Sequence, residues 1–317
     1  MTVLSREQVH RRDVLTAGAL ALLSGGRFAR GAGTLGVNEE ANALQQARRI
    51  LKALTPLHER KRPNEKGDWL AEHAEAGQTF EQYVSSQRVS VAATYQKLYV
   101  QPLGTFSKPQ EEVLVRTGDV LASFFGMKLE VLKGVTLETI PDSAKRINEH
   151  TKELQWLTTY LMQSVLKPKL PKDAAAVLGL TAVDLWPGMG WNFVFGQASL
   201  SERIGVWSMA RNGNPEGDAN EQKLFLRRTL KTAVHETGHM LGILHCKLYE
   251  CGMNGSNNRQ ESDRQPLEFC PECQAKIYWT CNAVPRKRLT ELRDLMAKYK
   301  LEEASVFDKE LFTLKDF

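Results

Sequence analysis

Residues 235–246 constrain this chain more than any other part of it, reading His-Glu-Thr-Gly-His-Met-Leu-Gly-Ile-Leu-His-Cys. His235 and His239 stand four apart, so on a helix their imidazoles project from one face and can share a metal ion. Glu236 lies between them, placed to touch a metal-bound water and not the ion itself. His245 comes later, where an unbroken helix would have risen roughly 15 Å from His235, whereas Zn–N bonds are about 2 Å. The third imidazole therefore reaches the same ion only if the helix stops and the chain folds back. Gly242 permits that stop, because glycine takes the left-handed conformation cheaply. Three neutral imidazoles leave a fourth position for water, the layout of a catalytic zinc site. A helix with incidental polar residues is the alternative. Against it, three of the chain's seven histidines fall in this one window, with Glu and Gly where the mechanism needs them.

The chain has five cysteines, and four of them follow at once. Cys246 and Cys251 are separated by four residues, Cys270 and Cys273 by two, with 18 residues between the pairs. That is structural-zinc spacing, and the cysteines are too few and too clustered for a disulfide scaffold. Two alternatives stay open: disulfides in an oxidising compartment, and a redox dithiol at Cys270 and Cys273, which lacks the βαβ context. Cys281 is left over and is expected to pack as a small apolar residue. Because Cys246 adjoins His245, a second ion would brace the third ligand of the first. A structural zinc contributes on the order of 10–16 kcal/mol to folding, so the loop 246–273 is expected to be rigid only when loaded.

At 317 residues the chain is long enough for one sizeable domain plus an extension. No segment carries about 18 apolar residues in a row, so no transmembrane helix is expected. The net charge is +5, but residues 1–32 hold five arginines against Glu7 and Asp13, which leaves only +2 for the remainder. The densest basic runs are Arg60-Lys61-Arg62 and Arg286-Lys287-Arg288, no face or stripe of the kind that binds nucleic acid. Arg11-Arg12 precedes a short, weakly apolar run from Val14 to Leu23 and then small residues. This resembles a bacterial twin-arginine export signal over residues 1–33, implying a periplasmic or extracellular protein. An amphipathic or disordered N-terminus of a cytoplasmic protein is the alternative. The twin-arginine route carries folded cargo, so export would be compatible with zinc loaded beforehand.

Residues 34–96 read as a helical, patchily charged extension with a linker or ordered loop from Pro56 to Gly67. Leu98–Leu103 reads as a strand, Pro109 opens a helix stopped by Gly126, and Met127–Leu132 reads as a second strand. Leu154–Leu166 reads as a helix, Ala175–Leu185 as a buried strand, and Asn192–Leu200 and Arg203–Ala210 as further strands. Strands separated by helices argue for an α/β sheet with mostly parallel strands. From Asn220 the apolar stripe Leu226, Leu230, Ala233, Val234, Thr237, Leu241 repeats at helical spacing and leads into the histidines.

Taken together, the long motif ending His245-Cys246, the step Cys251-Gly252-Met253 and Cys270-x-x-Cys273 resemble the archaemetzincins, a metzincin-clan family of zinc proteases. Asp184-Leu185-Trp186-Pro187, Asn192–Ala198 and Ser262–Leu267 resemble the family as well, and the likeness covers roughly residues 97–285. It implies a compact metzincin-like fold over residues 97–317. That fold has a twisted mixed sheet, an active-site helix at about 221–241, and a C-terminal helical subdomain carrying the four-cysteine zinc. It implies too that Met253 forms a turn whose thioether lies beneath the catalytic zinc as an apolar floor. Residues 192–200 would be the edge strand above the cleft, with Phe193, Val194, Phe195 and Gly196 offering backbone groups to an extended peptide. An ordinary core strand is the alternative for that segment.

The leading functional reading is peptide-bond hydrolysis with two zinc ions per chain, one catalytic and one structural, Glu236 acting as general base on a peptide or protein substrate. The alternatives are an aminopeptidase restricted to short peptides and a zinc-containing peptide-binding protein without useful turnover. Binding alone needs no general base, which weighs against the latter. Tyr249 and Tyr278 are candidates for a second oxyanion donor, and residues 36–90 for a cover over the cleft. No cysteine precedes Cys246 to mask the ion. His58, His73 and His150 are expected to be solvated or locally bonded.

Overall fold

Ahead of the sheet come three helices: α1 (Val37–Leu54), the single turn α2 (Trp69–Glu72) and α3 (Phe80–Ser85). They belong to a computed structural model that describes residues 37–86, 95, 97–138 and 140–317. The expected export signal at residues 1–33 lies outside the described residues. Ala47, Ile50 and Leu54 share one face of α1 and are fully buried, each of the larger two contributing about 1.5–3 kcal/mol of apolar burial. The stretch from Pro56 to Gly67 is ordered: Lys61 N–H donates to the Leu248 carbonyl at 3.2 Å, and Glu250 N–H to the Glu59 carbonyl at 3.0 Å.

The sheet begins as a β-α-β unit of β1 (Lys97–Leu103), α4 (Lys108–Phe125) and β2 (Lys128–Val131), the two strands running parallel. Next come β3 (Lys145–Ile147) and β4 (Leu154–Leu157), then the helical turn α5 (Thr158–Tyr160), which continues as a π-helix over Leu161–Leu166. The helix expected over Leu154–Leu166 thus surrenders its first four residues to a strand. Gln155 Nε2 there donates to Asp184 at 2.7 Å, and this pairing with a distant strand overrides the local helical pattern. The strand expected over Ala175–Leu185 divides into β5 (Ala174–Thr181) and β6 (Asp184–Trp186), which enter different sheets. Thr181 Oγ1 accepts from Val183 N–H at 3.1 Å and turns the chain between them. With β7 (Gly196–Ala198) and β8 (Ile204–Ser208), the five-stranded sheet has the order β2-β1-β5-β8-β7, parallel except for β7. A three-stranded sheet, β3-β4-β6, lies beside it.

β5 is buried along its whole length, as a central parallel strand covered on both faces must be. Alternate side chains enter two cores. Leu98, Val100, Leu178 and Trp207 meet α4 and the long helix α6 (Ala219–Met240), while Tyr99, Val177 and Val206 meet Trp156 and the π-helix. After α6 come α7 (Arg259–Arg264), the buried α8 (Pro271–Thr280), α9 (Pro285–Lys298) and α10 (Ala304–Thr313). Cys281 is buried in the core, as expected. No helix among the described residues is long and apolar enough to cross a membrane.

Two histidine expectations change. The His58 side chain is buried and bonded to Glu310 at 2.9 Å, far away in sequence. His73 is buried against the Trp69 ring, 4.0 Å between centroids. Neither is solvated, because the N-terminal segment packs into the C-terminal helices.

Candidate metal centre

α6 carries the motif, and both of its ends are fixed by sequence. Asp218 caps the start, its carboxylate accepting from Asn220 and Glu221 N–H, while Glu221 accepts from Asp218 N–H at 3.0 Å. Stripe residues Leu226, Leu230, Ala233 and Val234 are buried, turning the opposite histidine face outward. At the C-terminus Gly242 takes φ 83°, its N–H donating to the His239 carbonyl at 2.8 Å and Ile243 N–H to the Gly238 carbonyl at 3.0 Å. This is a Schellman stop. It ends the helix two residues before Gly242 and turns the chain so that His245 comes back to His235 and His239.

The three imidazoles converge, with ring centroids 4.6 to 5.2 Å apart and ligand atoms all within 4.8 Å of one another. Each Nδ1 is engaged elsewhere: His235 with the Gly252 carbonyl at 2.8 Å, His239 with the Ile243 carbonyl at 2.8 Å, and His245 with Glu75 Oε1 at 2.9 Å. A carbonyl or carboxylate oxygen can only accept, so each Nδ1 carries a hydrogen. In the neutral rings Nε2 is then a lone pair. Burial lowers the His235 pKa to about 3 and that of His239 well below its usual range, so both rings are neutral at pH 7. The Nε2 atoms of His235 and His239 face each other at 3.0 Å. Two lone pairs at that distance repel unless a cation lies between them. Tetrahedral zinc with Zn–N bonds of about 2.0–2.1 Å places its ligand atoms about 3.3 Å apart, so the donor set fits zinc.

Glu236 faces the same cleft, which is about 260 Å³ in volume and lined also by Trp69, Phe193, Val194, Phe195 and Gly196. Burial raises the Glu236 carboxyl to about 8; a divalent cation beside it acts in the opposite sense. The Glu236 side chain packs on the edge strand so closely that a Cβ on Gly196 would stand 2.6 Å from Oε1. Lys231, one turn earlier on α6, closes the floor by donating to the carbonyls of Ser262 and, at 2.6 Å, Gln265. Met253 is fully buried against α6, where a Cβ on Gly238 would lie 2.5 Å from its sulfur.

The edge strand is shorter than the nine residues expected. Val194 N–H bonds the Leu185 carbonyl at 3.1 Å, on the second sheet, and only Gly196–Ala198 runs along β8. Phe193 and Phe195 precede β7, the Phe195 carbonyl accepting from Ser208 N–H at 2.9 Å, and their rings, 5.2 Å apart, are covered by the guanidinium groups of Arg211 and Arg259. The apolar alternation read as one strand is a crossing between sheets. Neither candidate tyrosine lines the cleft. Tyr249 packs against Arg60, and Tyr278 accepts from Arg288 in the core at 3.2 Å.

Next to this centre, the sulfur atoms of Cys246, Cys251, Cys270 and Cys273 also lie within 4.8 Å of one another, all buried. The Cys246 and Cys270 sulfurs are 3.6 Å apart, too far for a disulfide bond of about 2.05 Å, and all four thiols are free. Cys251 Sγ accepts from Met253 N–H at 3.4 Å and Cys270 N–H at 3.2 Å. Burial pushes the Cys251 and Cys270 thiols up, so holding them as thiolates requires a cation in their midst. Cys246 N–H donates to the Met253 carbonyl at 2.8 Å, tying the two clusters together.

The family model described as Peptidase family M54 matches residues 162–278. Archaemetzincin-2 of Mus musculus is 36% identical over 241 residues, 66% of this chain and 67% of that protein. Archaemetzincin-2 of Homo sapiens is 34% identical over 241 residues, 66% of each chain. This chain thus spans about two thirds of the length of those relatives. A crystal structure of an archaemetzincin from Methanopyrus kandleri is 28% identical, covering 59% of this chain and 96% of that one at a TM-score of 0.48.

Proposed function

The chain belongs to the archaemetzincin family of zinc metallopeptidases, and from that premise we propose that it cleaves peptide bonds inside extended substrates. In this reading His235, His239 and His245 hold the catalytic zinc and Cys246, Cys251, Cys270 and Cys273 a second, structural one. Three imidazole Nε2 lone pairs converging beside a buried carboxylate in an open cleft carry the reading. Bound there, zinc supplies Lewis acidity that activates water and polarises the scissile carbonyl. Glu236 takes the proton from the attacking water and returns it to the leaving amine. The carbonyls of Gly252 and Ile243 keep two imidazoles in the tautomer that ligation needs. The free edge of β7 offers backbone donors and acceptors on which a substrate strand can lie beside Glu236.

An endopeptidase is favoured over an aminopeptidase by one observation: among the described residues lining the cleft, Glu236 is the only carboxylate. Capturing a free amino terminus would take a second. The cut positions in a peptide mixture separate the two.

Metal analysis of purified protein is expected to give two zinc ions per chain, and His235→Ala one. Wild type with a single zinc, or His235→Ala with two, would contradict the assignment. Gly196→Ala tests the contact between edge strand and base. The new Cβ displaces Glu236, so kcat/KM is expected to fall by about 10- to 100-fold, in line with misplacing a catalytic group by about 1 Å. Zinc content stays at two. Unchanged kcat/KM would mean that Glu236 does not work from the position it occupies here.

A further inference from the structure

Of the three imidazoles, two are oriented by backbone carbonyls close to the motif, from Gly252 and Ile243. His245 differs. Its Nδ1 donates to a side-chain carboxylate 170 positions earlier in the chain, lying 2.9 Å from Glu75 Oε1 and 3.0 Å from Oε2. Glu75 also lies outside residues 162–278, the part matched by the family model.

The carboxylate is itself held in place. Trp69 Nε1 donates to Glu75 Oε1 at 2.9 Å, and the Trp69 ring stands edge-on to His245 with centroids 5.3 Å apart. Trp69 is fixed in turn by its N–H to Glu261 at 2.9 Å and by close packing on Gly255. Lys247 Nζ donates to the Glu75 carbonyl. Gln78 Oε1 accepts from Leu244 N–H at 3.3 Å, and the Gln78 carbonyl accepts from Lys276 at 2.6 Å. The segment 68–78 therefore grips the returning loop 242–247 on both sides of the third histidine.

Resting on the zinc assignment above, we propose that Glu75 is a positioning residue for the metal centre: it fixes the tautomer and orientation of His245, and so sets the zinc affinity of the three-histidine site. A carboxylate behind a ligating imidazole makes the ring more basic and restricts its rotation, and losing such a partner costs about 10- to 100-fold in metal affinity. The N-terminal segment is then a working part of the centre and no removable cover. Cutting it away would weaken the site it touches.

The test is competition for zinc by a chelator of known affinity, on the full chain. The release step that His235→Ala abolishes defines the three-histidine site; the remaining step reports the cysteines. Glu75→Ala is expected to weaken the first step by about 10- to 100-fold and leave the second unchanged. Glu75→Gln, which keeps the shape and one acceptor oxygen, loses less in the same direction. Excess zinc restores the activity of both. Glu81→Ala, on the exposed pair with Arg48 in the same segment, binds as wild type. If Glu75→Ala also disturbs the cysteine step, Glu75→Gln decides. Wild-type affinity in the variant that decides overturns the proposal while the zinc assignment stands. A His235→Ala protein that still shows both steps overturns the assignment itself.

Discussion

If the chain holds the two zinc ions proposed, replacing Cys273 by serine is expected to cost it both, whereas His235→Ala is expected to cost only one. The asymmetry follows from connectivity. A complete structural zinc is worth roughly 10–16 kcal/mol, comparable to the whole stability of a typical domain at about 5–15 kcal/mol. Without it, the three remaining thiols and the new hydroxyl are buried together with no ion to bind them, and the loop 246–273 loses its anchor. The catalytic site leans on that loop at three points. His245 is joined directly to Cys246, the Gly252 carbonyl orients His235, and Met253 packs under α6 while its carbonyl accepts from Cys246 N–H at 2.8 Å. Loosening the loop therefore moves one ligand, frees another and removes the floor. His235→Ala, by contrast, leaves all four sulfurs and the fold around them in place. Metal content and thermal unfolding of the two variants check this. A Cys273→Ser protein that keeps one zinc and full thermal stability would mean the cysteines are not structural ligands.

Glu236→Gln is expected to do the reverse, slowing hydrolysis by about 10²–10⁴-fold while the zinc content matches wild type. The amide keeps the shape of the side chain against Gly196, where a Cβ would already be too close, so the geometry of the cleft is preserved. It removes the basic oxygen that takes the proton. General-base catalysis is worth about 10²–10⁴ in rate, or about 3–5 kcal/mol of barrier at 1.36 kcal/mol per tenfold. Peptide affinity should hold, because the edge strand and floor are untouched. A variant that bound peptide less well, with kcat unchanged, would make Glu236 a binding group and not a base.

Much of the centre was legible in the sequence because local geometry leaves it few alternatives. Four-residue spacing puts His235 and His239 on one helical face, and the distance to His245 demands a helix stop that only Gly242 supplies cheaply. Two cysteine pairs at metal spacing, one of them adjoining His245, place the second cluster against the first. What escaped was held by contacts between residues far apart in the chain. Glu75 is one acidic residue among many, with no spacing to single it out; the nearby Gly67-Asp68-Trp69 could at most have marked a turn with a packed ring. Phe193 and Phe195 alternate as strand residues do, but nothing local shows that arginines cover both rings or that Val194 pairs with the other sheet. Leu154–Leu157 kept a helical pattern whose fate was decided by Asp184, a strand away. His58 and His73 read as solvated or locally bonded because their hydrogen-bond partners, Glu310 and Asn257, are likewise distant.

The central claim is that Glu236, beside a zinc held by three histidines, hydrolyses peptide bonds. Its most direct test is to incubate wild type and Glu236→Gln, matched for zinc content, with a diverse peptide mixture and to read the products by mass spectrometry. Internal cuts by wild type, slowed at least about a hundredfold in the variant, are the predicted result. The same cuts at the same rate from both proteins would contradict it.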